Sequence, residues 1–251
     1  MIEVDRRIRV ATFNIKHSAT SSGYLGRPWR LGGACAAIDA DIVALQEVDR
    51  RVWRSWFADL LTDAQGTAFP SAVFAKAMGA NLVSLINPGG AYGVALLVRG
   101  EILGHETMPL VGDHVRLRFG RRRNLAPEPR VAMFNRVRLA NGLTLSTANA
   151  HFGGPRRETF LHVVADRLAD LPGPRILMGD VNAGHDQVRR WLSKSSVLEL
   201  APRPTALSRG YRQSDHIAVD GCEVRSVSAH WTSISDHPVV LADLRYLGAD
   251  G

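Results

Sequence analysis

Arg175-Ile176-Leu177-Met178-Gly179-Asp180-Val181-Asn182 compresses an apolar strand and a polar turn into eight residues. Pro172-Gly173-Pro174 closes off whatever precedes it, and Gly179-Asp180 ends the apolar run, so Arg175–Met178 is read as a short buried strand. Asp180 and Asn182 then stand at the strand's exit, two residues apart on an extended turn and on the same side. A sheet holds such side chains rigidly while the loops around them stay open, which is what an active site at a sheet edge requires.

The same arrangement recurs on both sides of this stretch. A strand over Ile8–Ile15 ends in Thr12-Phe13-Asn14-Ile15, and one over Asp41–Gln46 ends in Leu45-Gln46-Glu47-Val48-Asp49. A strand over Leu143–Ala150 ends in Asn149-Ala150-His151-Phe152, and Ser214-Asp215-His216 and Ser235-Asp236-His237 lie near the C-terminus. Further strands are expected over Gly93–Val98, Val131–Leu139, His216–Val219 and Val239–Leu244. Alone, Gly-Asp-x-Asn is a common turn and an Asp-His pair a common loop cap. Six such motifs in order along one chain point instead to one site assembled from distant segments.

The clearest helix is Arg156–Leu171, where Phe160, Val164, Leu168 and Leu171 keep helical spacing before Pro172 stops it. Helices are also expected over Arg54–Leu61 and Asp186–Leu192, with a weaker one over Trp29–Ala40. Breaks fall at Asn87-Pro88-Gly89-Gly90, Gly120–Pro129 and Ala201–Gln213; the middle one carries Arg121-Arg122-Arg123 and reads as a solvated loop. None separates two regions with their own cores, so residues 1–251 are expected to form one domain.

Composition narrows the class. The 251 residues are 45% hydrophobic and 22% charged, as in ordinary soluble proteins. No apolar run spans a bilayer and the charged start lacks a secretory core, so a cytoplasmic location is expected. Cys35 and Cys222 have no metal-ligand spacing and are read as reduced core residues. The net charge is +7, and Lys16, Lys76 and Lys194 are the only lysines among 31 basic residues. Arginine's planar fork can donate two hydrogen bonds to one phosphate, so the balance suits a phosphate-containing partner, nucleic acid among them. The tryptophans at 29, 53, 56, 191 and 231 are read as core or interface, with base stacking by Trp53 or Trp56 beside Arg50, Arg51 and Arg54 as the sharper reading.

The residue types fit one chemistry. Oxygen ligands from Glu47, Asp236 and Asn14 suit a hard cation, Mg²⁺ or Mn²⁺, and no thiolate or multi-histidine zinc site is offered. His151 and His237 are suited to donate to a phosphate, with Asp215 orienting one of them. Asp180 is placed to deprotonate a water. His17 and His185 lie near these loops, whereas His162, inside the expected helix, is read as packed or solvated; His105, His114, His216 and His230 fit no role.

On these motifs, together with Gly90-Ala91-Tyr92-Gly93, the chain resembles the endonuclease/exonuclease/phosphatase superfamily, the DNase I-like metal-dependent phosphohydrolases, from about residue 8 to residue 244. The resemblance implies a four-layer α/β sandwich of two facing mixed sheets flanked by helices, with the site at one end of the sheets. It implies Glu47 as the principal metal ligand with Asn14 and Asp236 nearby, Asp180 activating water, and Asn182 holding a phosphate oxygen. His151 and the His237–Asp215 pair would stabilise developing charge, and Tyr92 would help position the phosphate. Independently of the resemblance, a monomer is expected. Two departures stand out. Many members have Thr before the first histidine and Leu-Asp after it, where this chain has Asn149-Ala150-His151-Phe152-Gly153-Gly154. Abasic-site endonucleases carry Asn-Gly after the first asparagine and Glu-Thr-Lys in the second motif; Lys16-His17 and Glu47-Val48-Asp49 stand here. That argues against the abasic-repair branch. It leaves a phosphodiesterase or nuclease, with a phosphatase or phosphodiesterase for a small phosphorylated metabolite or lipid headgroup as the alternative. A binding module that had lost its chemistry would lack one of the acids or histidines, and every expected position is filled.

Overall fold

The computed structural model describes residues 6–19, 25–77, 89–110, 130–194, 196–204 and 213–248. Twelve strands among them form two mixed six-stranded sheets. The first sheet contains β1 (Arg7–Asn14), β2 (Ile42–Arg50), β3 (Ser71–Lys76), β4 (Ala91–Val98), β11 (Cys222–His230) and β12 (Val239–Tyr246), in the order β11-β12-β1-β2-β4-β3. The second contains β5 (Gly100–Leu110), β6 (Arg130–Leu139), β7 (Thr144–His151), β8 (Arg175–Asp180), β9 (Glu199–Leu200) and β10 (Asp215–Asp220), in the order β5-β6-β7-β8-β10-β9. Each sheet has one parallel pair at its centre, β1 with β2 and β7 with β8, and antiparallel pairs elsewhere.

Alternation along the central strands sets the layers. On β1, Ile8 and Val10 enter the core between the sheets, together with Ile42, Leu96, Met133, Ile176, Met178 and Val240. Ala11 and Phe13 face the other way, onto α1 (Leu31–Ala36) and α2 (Leu60–Gln65) through Leu31, Cys35, Leu60 and Ala64. Across the molecule, Phe134, Ala148 and Leu177 pack beneath α3 (Arg157–Ala169) and α4 (His185–Leu192) through Leu161, Val164, Leu168 and Val188. Strands buried on both faces read as nearly continuous apolar runs, and this is why they were legible as strands. The result is helix, sheet, sheet, helix: the expected four-layer sandwich.

All eight expected strands are present, several of them longer than expected. The four that escaped notice, β3, β5, β9 and β11, are the edge strands of the two sheets. Edges are half solvated and carry mixed patterns; β5 even contains Pro109, which an edge tolerates because its missing N–H has no ladder partner to lose.

Two helices differ from expectation. No helix covers Arg54–Leu61: a short 3-10 turn spans Trp53–Ser55, Trp56 and Phe57 adopt left-handed backbone angles, and α2 starts only at Leu60. The cause is Asp49, buried at the end of β2, which draws the Arg54 and Ser55 side chains inward and breaks the helical path. Trp29–Ala40 is likewise split into a 3-10 turn at Pro28–Arg30 and the six-residue α1, in which Gly32 and Gly33 weaken helix propensity. Trp29, Trp56 and Trp231 are exposed rather than core residues. Both cysteines are free and buried. No helix among the described residues is long and apolar enough to cross a membrane. Arg121-Arg122-Arg123 lies outside the described residues, as do residues 87 and 88 and most of the third break.

Candidate active site

Two rows of polar residues meet where the sheets end. In the second sheet Asp180 is in register with His151 on β7 and with Asp215 on β10, so the three form one line across adjacent strands. Gly179 lets this happen: a Cβ there would lie 2.1 Å from the Ala150 carbonyl oxygen. In the first sheet Asn14 ends β1 opposite Gln46, Glu47 follows Gln46, and the turn at residues 235–237 leads into β12 on the other side of β1. Ser235 anchors that turn by donating its hydroxyl to the Asn14 carbonyl oxygen at 2.7 Å.

Glu47 is aimed by a bulge. The β2–β4 register shifts between Leu45 and Val48, and Glu47 takes a φ of 57°. Extra residues of this kind re-aim side chains at active sites. Asn149, which carried no assigned role, bridges the sheets here. Its amide donates to the Leu45 and Ala95 carbonyls at 3.0 and 2.8 Å, and its oxygen accepts from Gln46 at 2.8 Å. Asn149, two residues before His151, thus supports the bulge from the facing sheet.

Asp180 sits at the centre. Its Oδ2 accepts from Asn14 Nδ2 at 3.0 Å and lies 3.4 Å from His151 Nε2 and 4.0 Å from His237 Nδ1, while Oδ1 accepts from the Asn182 amide at 2.9 Å. Burial, with the Asp215 charge adding to it, holds the Asp180 carboxyl above the ordinary carboxylate range. Asn14 Nδ2 also donates to Glu47 Oε1 at 3.0 Å, joining the two acids, and Asn14 Oδ1 accepts from the Lys16 amide. The Lys16 ammonium pairs with Asp236 Oδ2 at 2.6 Å. Asp236 is therefore tied to the group through Lys16.

The two histidines are in opposite states. His237 Nδ1 lies 2.8 Å from Asp215 Oδ2; burial works against its charge, yet the bond to Asp215, with the charges of Asp215, Asp180 and Asp236, lifts its pKa to about 9. His151 is buried, and burial together with the Arg130 guanidinium and His237 pushes its pKa well below the usual value. Arg130 bonds to His151 Nδ1. A guanidinium only donates, so Nδ1 accepts and the ring's proton rests on Nε2, facing Asp180. Asn182, at φ 53°, donates Nδ2 to the Phe152 carbonyl at 2.9 Å and lies 3.1 Å from His151 Nε2. Tyr92 stands opposite Asp49 in the β2–β4 register, its ring 5.2 Å from the Arg54 guanidinium carbon.

Eight of the nine expected site residues are thus joined by hydrogen bonds or ion pairs into one group, with Tyr92 placed beside it through Arg54 and Asp49. His17, at 3.9 Å from Glu47 Oε2, joins the group, whereas His185 and His216 bond to the carbonyls of Ala201 and Ala183, and His162 to that of Trp191. Arg130, Asn149 and Asp49 were not singled out as site residues. Every non-glycine residue of positive φ among those described, Lys16, His17, Ser18, Glu47, Arg51, Trp56, Phe57 and Asn182, belongs to this end of the molecule. Left-handed non-glycine residues cost on the order of 1–3 kcal/mol each and gather where function requires a set geometry.

Metal fit can be judged from the donors. Among the described residues, Asp180, Asp215 and His237 each offer a ligand atom within 4.8 Å of the others; Glu47 and Asp236, partly exposed carboxylates, stand outside that cluster and are linked to it through Asn14 and Lys16. Clustered carboxylates, with thiolates absent, fit a hard divalent cation. Asn14 has one lone pair of Oδ1 engaged by Lys16 and would ligate through the other.

A search of curated proteins finds no significant match. The endonuclease/exonuclease/phosphatase from Beutenbergia cavernae superposes with a TM-score of 0.74 at 17% identity, over 97% of this chain and 72% of that one. The human Nocturnin catalytic domain with bound sulfate gives 0.64 at 21%, over 98% and 96%. ANGEL2, a 2′,3′-cyclic phosphatase, gives 0.66 at 14%, over 96% and 95%. These likenesses bear on the fold. The sequence profile described as Endonuclease/Exonuclease/phosphatase family matches residues 11–237, a span that takes in both rows of site residues. The chain therefore belongs to the Endonuclease/Exonuclease/phosphatase family, whose members hydrolyse phosphoesters.

Proposed function

We propose that this protein is a divalent-metal-dependent phosphodiesterase that cleaves nucleic acid by attack of a water activated at Asp180. The observation that carries the reading is the setting of Asp180: a buried carboxylate of raised pKa, held by Asn14 and Asn182, between one neutral and one charged imidazole. A base is most effective when its pKa is near the working pH, and burial beside Asp215 moves this carboxylate in that direction.

In-line attack on a phosphodiester builds charge on the non-bridging oxygens and on the leaving oxygen. Glu47 and Asp236 would hold a Mg²⁺ or Mn²⁺ ion, which supplies Lewis-acid stabilisation of that charge. His237, kept cationic by Asp215 on Nδ1, has Nε2–H left to donate to a phosphoryl oxygen. His151 donates as a neutral ring through Nε2. Asn182 fixes the Asp180 carboxylate through its backbone amide and brings its side-chain amide beside the His151 donor. Tyr92 would help seat the phosphate. The nucleic-acid preference rests on the net charge of +7, carried almost wholly by arginine.

The test is incubation with plasmid, linear and single-stranded DNA and with RNA, in Mg²⁺ and in Mn²⁺, beside a phosphate-release panel of small phosphorylated metabolites and lipid headgroups. Cleavage of nucleic acid is expected. Inertness on every nucleic acid with metal bound overturns the substrate, and phosphate release from the panel would replace it. Glu47→Ala should abolish the Mg²⁺-dependent thermal shift; a variant with full activity and an intact metal response removes Glu47 from the metal site.

A further inference from the structure

Beside the site, two surface segments, residues 25–30 (Leu-Gly-Arg-Pro-Trp-Arg) and 51–57 (Arg-Val-Trp-Arg-Ser-Trp-Phe), hold four arginines and four aromatic residues and no acid. Trp56 and Phe57 are 59% and 64% exposed, Trp29 and Leu25 are exposed with them, and so are Arg27, Arg30 and Arg51. The Arg54 charge is taken inward by Asp49.

These segments are fastened to the catalytic end. The Trp56 indole N–H donates to the Gly26 carbonyl at 3.0 Å, and the Gly26 amide donates to the Arg54 carbonyl at 2.8 Å. Gly26 lies flush on the 16–18 turn, where a Cβ would come within 2.3 Å of the His17 carbonyl oxygen. His17 in turn reaches Glu47. From the other side, Arg54 and Ser55 are held by buried Asp49, two residues past Glu47. Trp56 and Phe57 follow directly, both left-handed, at φ 56° and 57°. Large rings exposed on a backbone that disfavours any side chain have no packing role to account for them.

We propose that segments 25–30 and 51–57 form a ledge on which unpaired bases of a single-stranded nucleic acid stack while its backbone runs past Arg27, Arg30 and Arg51 toward the site. The proposal deepens the phosphodiesterase reading and rests on it for the fate of the bound strand. The chemistry selects the occupant. Interleaved guanidinium groups and rings match alternating phosphates and bases, and rings can stack only on bases that a duplex does not already pair and bury. An anionic membrane also attracts tryptophan and arginine, but a docking patch for lipid inserts a continuous apolar surface; here each exposed ring has an arginine within three residues of it in sequence.

The test measures anisotropy of labelled oligo-dT and oligo-U of about 12 nucleotides, a length within the range of such sites. EDTA is present so that nothing is cleaved, and a duplex of equal length serves as comparison. Trp56→Ala and Phe57→Gly should each weaken single-strand binding by at least about 5-fold, and the duplex should bind more weakly than the single strands. Phe57→Gly should keep or raise the melting temperature, because glycine accepts φ 57° without steric conflict, so lost binding there is not lost folding. Unchanged oligonucleotide affinity in both variants overturns the ledge. So does binding to phosphatidylserine vesicles that depends on Phe57 while oligonucleotides fail to bind. Hydrolysis of bis(4-nitrophenyl) phosphate by the unaltered protein, run separately with Mn²⁺, reads the phosphodiesterase function: its failure removes that reading, while the anisotropy alone decides the ledge.

Discussion

Lys16 Nζ lies 2.6 Å from Asp236 Oδ2, an ion pair closed across 220 positions of sequence at the edge of the candidate metal site. A left-handed turn at residues 16–18 aims the lysine. The ammonium already supplies Asp236 with a positive partner, so a divalent ion that uses this carboxylate has to compete with it. Lys16→Met should therefore bind Mn²⁺ more tightly, by roughly 5-fold for a pair that is partly exposed, in isothermal calorimetry. Weaker metal binding in the variant would mean that Lys16 positions Asp236 rather than competing for it.

Asp180→Asn and His237→Ala should each lower kcat by roughly 10²–10⁴-fold, the range for removing a positioned acid–base group. Circular dichroism and melting should remain close to those of the unaltered protein for Asp180→Asn, because an amide has nearly the same shape. If kcat falls less than about 10-fold in either variant, that residue has no acid–base role of the usual size.

Asp49 holds the loop, not the chemistry. It is fully buried and accepts from Arg54 twice and from Ser55 once, each at 2.7 Å. Asp49→Ala strands the buried Arg54 charge and should destabilise the protein by about 3–5 kcal/mol. Breaking the more exposed Arg50–Asp59 pair by Asp59→Ala should cost no more than about 1 kcal/mol. Urea titration of both variants checks the contrast, and equal losses would show that burial is not what distinguishes the pairs.

His216 ties stability to pH. It is buried with Nε2 2.8 Å from the Ala183 carbonyl oxygen, and burial, opposed in part by that bond, pushes its pKa from 6.5 down to about 4. Between those values the unfolded chain binds more protons than the folded one. Stability is therefore complete above pH 6.5 and is lost as the pH falls from 6.5 toward 4, by up to about 3 kcal/mol. Asp180, with its raised pKa, contributes with the opposite sign in the same window. The quantity to measure is thus the difference between the unaltered protein and His216→Gln. That difference should shrink on acidification, and a constant gap from pH 7 to pH 4 would contradict the buried neutral state.

What the sequence determined by itself was the interior. Central strands such as β1 and β8 are covered on both faces, and that demand is written locally as an apolar run with a polar exit; the eight strands legible in this way are the eight interior strands of the two sheets. The residue types at the strand ends, Asn14, Glu47, His151 and Asp180 at exits and Asp215 and His237 at entries, were legible for the same reason, since each adjoins a buried strand. Only the tertiary structure decided what depends on distant partners. The four edge strands owe their conformation to a neighbour on one side, so their own residues carry a weak pattern. The supposed helix at Arg54–Leu61 was undone by one buried carboxylate, Asp49, and Arg130 reaches His151 only because β6 lies beside β7. Protonation followed the same rule: His151 and His237 are alike as residues, and deep burial with a guanidinium beside one, and a carboxylate bonded to the other, set them apart.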